Sequence, residues 1–255
     1  MVPVEPGTYF VDADLDPSTP LRVVYDLPAE GWSSWIGAAK FGPDDGHVGV
    51  SITTVVNLVT HGCRNHFSAR PSVGPTVDDL ATALSELEPF EVTSPPRDVD
   101  IYGYRGKHLG WTVPEMTFGR CDHGDLRSWI APMDAAEVGD AFYGYTGPGY
   151  REEFWILDVE GTRLMIAAER SPGSPAEDLA ELRAILDSIR IEPCRACSGI
   201  HLNLRAGIGV HDAGMDETAA IVPELRRTER RWATSPRRSR RSSAPRRRGL
   251  GASGS

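Results

Sequence analysis

Along most of the chain, apolar residues alternate with polar ones or run in short blocks, and glycine, proline, aspartate and serine separate the blocks. This pattern predicts strands near Thr8–Asp12, Leu21–Leu27, Ser34–Phe41, His47–Thr60, Phe90–Thr93, Val99–Val113, Leu126–Ala131, Glu152–Glu160, Thr162–Glu169 and Ile189–Glu192. Two segments carry helical spacing instead. Thr76-Val77-Asp78-Asp79 opens a helix whose Val77, Leu80, Leu84 and Leu87 share one face, and Pro89 ends it. Ser174-Pro175-Ala176-Glu177 places a cap, a first-turn proline and a returning glutamate at capping-box spacing, ahead of a stripe of Leu179, Leu182, Leu186 and Ile189. Many strands on short turns with only two helices predict an α+β fold, a mostly antiparallel sheet with two packed helices.

The clearest local signal is a hairpin turning on Glu160-Gly161, where the glycine supplies the positive φ of a two-residue loop. Its register pairs Val159 with Thr162, Asp158 with Arg163, Leu157 with Leu164, Ile156 with Met165 and Trp155 with Ile166. One pair is ionic, and apolar residues fall on both faces, so the hairpin belongs inside a sheet that a helix covers on at least part of one face.

Charge divides the 255 residues into two unlike parts. Residues 1–193 hold 14 basic and 31 acidic residues, a net −17, whereas 194–255 hold 13 arginines and 5 acids, a net +8, together making the overall −9. The first part is long enough for one well-buried core and is expected to form a single α+β domain. The second ends in Arg237-Arg238-Ser239-Arg240-Arg241 and Arg246-Arg247-Arg248, a composition expected to stay disordered. Arginine runs suit nucleic acid or an anionic membrane, but the acidic domain would repel the same partner, so none is expected for the folded part. No apolar run is long enough for a membrane span, and Met1-Val2-Pro3-Val4-Glu5 does not read as a secretion signal.

The candidate chemistry is thin. Cys63 and Cys121 each follow a predicted strand and are first read as a disulfide, which implies an oxidising compartment. A pair of free structural thiols is the second reading. A zinc site is the third, since His61, Cys63, His66 and His123 offer suitable ligands, although their spacing matches no compact zinc motif. Cys194-Arg195-Ala196-Cys197 has redox spacing but falls in the basic segment.

Trp32, Trp35, Trp111, Trp129 and Trp155 are read mainly as core. The glycine-rich stretch from Phe142 to Tyr150 makes Tyr143, Tyr145 and Tyr150, with Trp129, the candidate ligand-binding residues. Glu152 and Glu153 cannot act together, because neighbours in a strand point to opposite faces. A carboxylate partner would have to come from elsewhere, such as Glu115 or Asp158. No nucleophile elbow or phosphate loop is present, so no catalytic residue and no cofactor are assigned.

Trp32-Ser33-Ser34-Trp35, the run Val73 to Leu80, Trp155 to Gly161, Pro172 to Asp178 and Ile189 to Pro193 resemble an uncharacterised domain family of actinobacteria and related bacteria. The match spans about Pro6 to Pro193, and the plan resembles PsbP-like lipoproteins more distantly. The resemblance implies a non-catalytic domain of the cell envelope that binds an unknown small molecule or protein, carried behind a leader or anchor. This chain departs from the family in having no leader before Pro6 and in its arginine-rich tail; without a leader, the location would be cytoplasmic.

Overall fold

The computed structural model describes residues 1–15, 21–42, 46–64, 68–132, 142–145, 147–193 and 209–210. They lie in one unit, Met1–Ala213; the expected disorder of the basic tail falls outside the described residues, apart from the short strand at 209–210. The strands are β1 (Gly7–Asp12), β2 (Leu21–Leu27), β3 (Trp32–Trp35), β4 (Gly37–Phe41), β5 (His47–Thr54), β6 (Asn57–Leu58), β7 (Glu91–Ile101) and β8 (Tyr104–Thr112). They continue with β9 (Leu126–Ile130), β10 (Phe142–Tyr145), β11 (Arg151–Val159), β12 (Thr162–Arg170), β13 (Arg190–Pro193) and β14 (Gly209–Val210). The helices are α1 (Val77–Ser85) and α2 (Ala176–Ser188).

Seven strands form the main antiparallel sheet in the order β3-β4-β5-β12-β11-β8-β7. The β11–β12 hairpin at its centre has the register read from the sequence, from Val159 opposite Thr162 to Trp155 opposite Ile166. The predicted ionic pair is replaced: Arg163 donates to the carbonyls of Gly74, Thr76 and Val55, and Asp158 accepts from the Gly161 amide in the turn. Arg163 thus ties the hairpin to the entry of α1.

Both faces of this sheet are covered. On one, Phe154, Ile156, Met165 and Ala167 pack with Leu80 and Leu84 of α1 and with a three-stranded sheet, β10-β9-β6. On the other, Leu157, Val159, Leu164 and Ile166 pack with Leu182 and Ile185 of α2 and with Tyr9, Val23 and Tyr25 of the β13-β2-β1-β14 sheet. The hairpin is apolar on both sides because each side meets its own layer.

Thr76 caps α1 as expected, accepting from the Asp79 amide while Asp79 returns to the Thr76 amide. The second cap differs. The Ser174 hydroxyl donates to the carbonyls of His47 (2.5 Å) and Ser171 (2.9 Å), so Pro175 takes the cap position and no side chain caps α2. Lys40 anchors that end of the helix instead, 2.7 Å from both Asp178 and Glu181. The buried stripe is Leu182, Ile185 and Ile189, with Leu179 and Leu186 only partly covered. Replacing Leu182 by alanine is expected to cost about 2–5 kcal/mol through the cavity left under α2. Ser174→Ala should cost about 1 kcal/mol, the net value of lost hydrogen bonds. Urea unfolding of both variants checks the order.

Four predicted strands are divided differently. Ser34–Phe41 turns back at Gly37 (φ 148°), where an added Cβ would lie 2.1 Å from the Val50 carbonyl oxygen. His47–Thr60 splits into β5 and β6. Phe90–Thr93 and the start of Val99–Val113 merge into β7, whose Pro95-Pro96 is tolerated because the strand lies at the sheet edge with a shifted register there. The small strand β10 falls in the glycine-rich stretch whose composition predicts a loop.

Candidate functional site

Cys63 and Cys121 are joined by a disulfide, with Cα atoms 4.6 Å apart. The local chain explains the meeting. The Gly62 amide donates to the Glu88 carbonyl at 2.7 Å, the Arg127 amide to Gly62 at 2.9 Å, and the Asp122 amide to Cys63 at 2.9 Å. These bonds pin residues 62–63 between the end of α1 and the start of β9.

The zinc set is not assembled. Both sulfurs are spent in the disulfide, and the His61 Nδ1 accepts from the Cys63 amide at 3.0 Å while its Nε2 lies 3.8 Å from Glu88. His66 lies outside the described residues, and His123 sits in a left-handed turn (φ 61°). Among the described residues no group of three or more His, Cys, Asp or Glu is placed to hold a metal ion.

The aromatic candidates fill the core rather than line a cleft. Trp129 is 1% exposed and stacks on Tyr143 (8% exposed) at 4.4 Å; Tyr145 is 2% exposed and meets Tyr143 edge-on at 5.4 Å. Tyr150 is only partly covered and contacts the Tyr145 ring at 6.2 Å. Three of the four rings therefore give their area to packing, which is the physical reason they form no open binding surface. Of the five tryptophans read as core, Trp32, Trp111 and Trp129 are fully buried and Trp155 is partly so, but Trp35 is exposed.

Beneath these rings lies a buried carboxylate that sequence reasoning missed as a pair. Glu152 of β11 stands directly opposite Glu169 of β12 on the same face. Glu115 is exposed, and Asp158 is occupied in the hairpin turn. The Glu152 Oε2 accepts from the Tyr145 hydroxyl and from the Trp111 indole at 3.2 Å. Its Oε1 has no hydrogen-bond partner among the described residues; the Trp129 indole is near enough to favour the charged form but completes no bond. Burial, then the charge of Glu169, holds the Glu152 carboxyl well above the usual carboxylate range. Burial, then the nearby Glu152, pushes the Tyr145 hydroxyl up as well. Glu169 is held by His47, whose Nε2 lies 2.8 Å from its Oε1, and Gly49 leaves room for that contact. Glu153, on the opposite face, lies 3.0 Å from His108. Extending the hairpin register three pairs beyond Trp155 would have placed Glu152 against Glu169.

The surface concavity lies elsewhere. A cleft of about 590 Å³ runs between α1 and residues 58–61 and 69–74, with Leu58, Val59, Val73, Ala83 and Leu87 among its apolar lining. Asp79, Glu86 and Glu88 make the lining acidic, and His61 stands beside Glu88. The disulfide lies two residues from His61 and so fixes one wall. A second cleft of about 500 Å³ holds Asp78 and Asp98 already bridged by Lys107, at 2.9 and 2.7 Å. No helix among the described residues is long and apolar enough to cross a membrane. No family model matches the chain, and no curated protein matches it.

Proposed function

We propose that the protein is a non-catalytic binding domain of the bacterial cell envelope and that its ligand enters the cleft between α1 and residues 58–61 and 69–74. The observation that carries this reading is the cleft itself, whose lining combines apolar side chains with acidic ones, near the Cys63–Cys121 bond. The net −17 of residues 1–193 favours a ligand with an apolar body and a cationic head. The disulfide supports an oxidising compartment, as does the family resemblance.

A screen of long-chain alkylamines, alkylguanidines and matched alkyl sulfates by thermal shift tests the proposal. At about 100 times its dissociation constant a ligand adds about 2.7 kcal/mol, a rise of about 5–10 °C for a domain of this size. Cationic amphiphiles should stabilise the protein, alkyl sulfates should not, and Ala83→Trp should abolish the effect by filling the cleft. Equal shifts from both charge types, or an unchanged response in Ala83→Trp, would place the ligand elsewhere.

A further inference from the structure

We propose that Glu152 is a proton-operated latch: protonated, it fastens the β9–β10 pair to the main sheet, and on losing its proton it loosens that contact. Glu152 is 2% exposed, and the groups packed on it come from every neighbouring element. Glu169 faces it from β12, Trp111 from β8, Tyr143 and Tyr145 from β10, and Trp129 from β9, while Ser128 of β9 stands beside the Tyr145 hydroxyl. Behind Glu169 stands His47, at the start of β5, the one group of this set that can carry positive charge. The pair therefore has no permanent cation to balance two ionised carboxylates.

The hydrogen bonding makes the same point. Oε2 accepts two bonds, but Oε1 and the Trp129 indole N–H are buried without a partner among the described residues. A neutral carboxyl leaves a weakly polar oxygen in that place, whereas a carboxylate leaves part of a full charge unsolvated. The two bonds to Oε2 favour the anion, yet burial and Glu169 oppose it more strongly. The ionised group regains water if β9 and β10 lift away, since Trp129, Tyr143 and Tyr145 pack against it.

Amide hydrogen exchange of the full chain, corrected for the intrinsic effect of pH, reads the latch at 126–130 and 142–145, with 164–167 of β12 as reference. Opening of β9 and β10 should increase about tenfold per pH unit once the unfastened state favours the anion, while the reference residues change far less. Glu152→Gln keeps the bonds to Oε2 in a neutral group and should remove the pH dependence. Should that variant fail to fold, Glu169→Gln takes its place: without the facing charge the closed state tolerates the anion better, so the rise in opening should level off at lower pH and be smaller in total than in wild type. Corrected exchange in β9–β10 that does not vary with pH, or that varies equally in wild type and Glu152→Gln, would overturn the proposal. So would a rise in Glu169→Gln as large as that in wild type.

Discussion

Reduction of the Cys63–Cys121 bond is expected to lower the stability of the protein by about 4 kcal/mol. The bond closes a loop between cysteines 58 residues apart, and in the chain-entropy model a loop of that length, once freed, gives the unfolded state about this much additional freedom. For a domain of this size the melting temperature should fall by about 8–16 °C. Cys63→Ser should reproduce the loss, and adding reductant to that variant should change nothing further. A shift of less than about 3 °C would mean that the amide bonds from Gly62, Asp122 and Arg127 already hold the loop without the sulfurs.

Trp111→Ala is expected to be at least as damaging. The ring is fully buried, stacks on Phe90 at 4.2 Å and meets Phe154 edge-on at 4.7 Å, so truncation removes a large packed surface and leaves a cavity costing about 3–5 kcal/mol. Its indole N–H also donates to Glu152 at 3.2 Å, and deleting it strips a buried acid of one of its two donors, a further cost of about 1–3 kcal/mol. Trp111→Phe separates the two effects: it keeps much of the ring and should lose mainly the hydrogen bond. Denaturant unfolding of both variants near pH 7 checks the difference. Equal losses would show that the bond to Glu152, and not packing, sets the role of Trp111, and a Trp111→Phe variant as stable as wild type would show the reverse.

The fold was legible where local chemistry and tertiary packing agree. The Glu160-Gly161 turn fixes the hairpin register by itself, and Thr76 with Asp79 caps α1 through groups three residues apart. The layers were less legible. Ser174 has the composition of a cap, but the carbonyl of His47, 127 residues away in sequence, claims its hydroxyl. The candidate site was hardest to read for the same reason. The stretch from Phe142 to Tyr150 looks like a ligand loop by composition, yet its rings close over Glu152, and that acid meets Glu169 only because a hairpin folds the two strands together. The cleft draws its walls from residues 58–61 and 69–74 and from α1, and no local pattern in these segments announces the others. Cys63 and Cys121 were the exception, because two cysteines in an otherwise cysteine-free stretch of 193 residues leave few ways to pair.

The most direct test of the binding reading is a titration of the isotopically labelled full chain with a long-chain alkylamine, followed residue by residue in amide correlation spectra. The account predicts saturable shifts concentrated at 58–63, 69–74 and 77–88, with the amides of 142–145 and 164–167 left in place. Shifts centred on 142–150, or none at any residue up to the solubility of the amine, would contradict it.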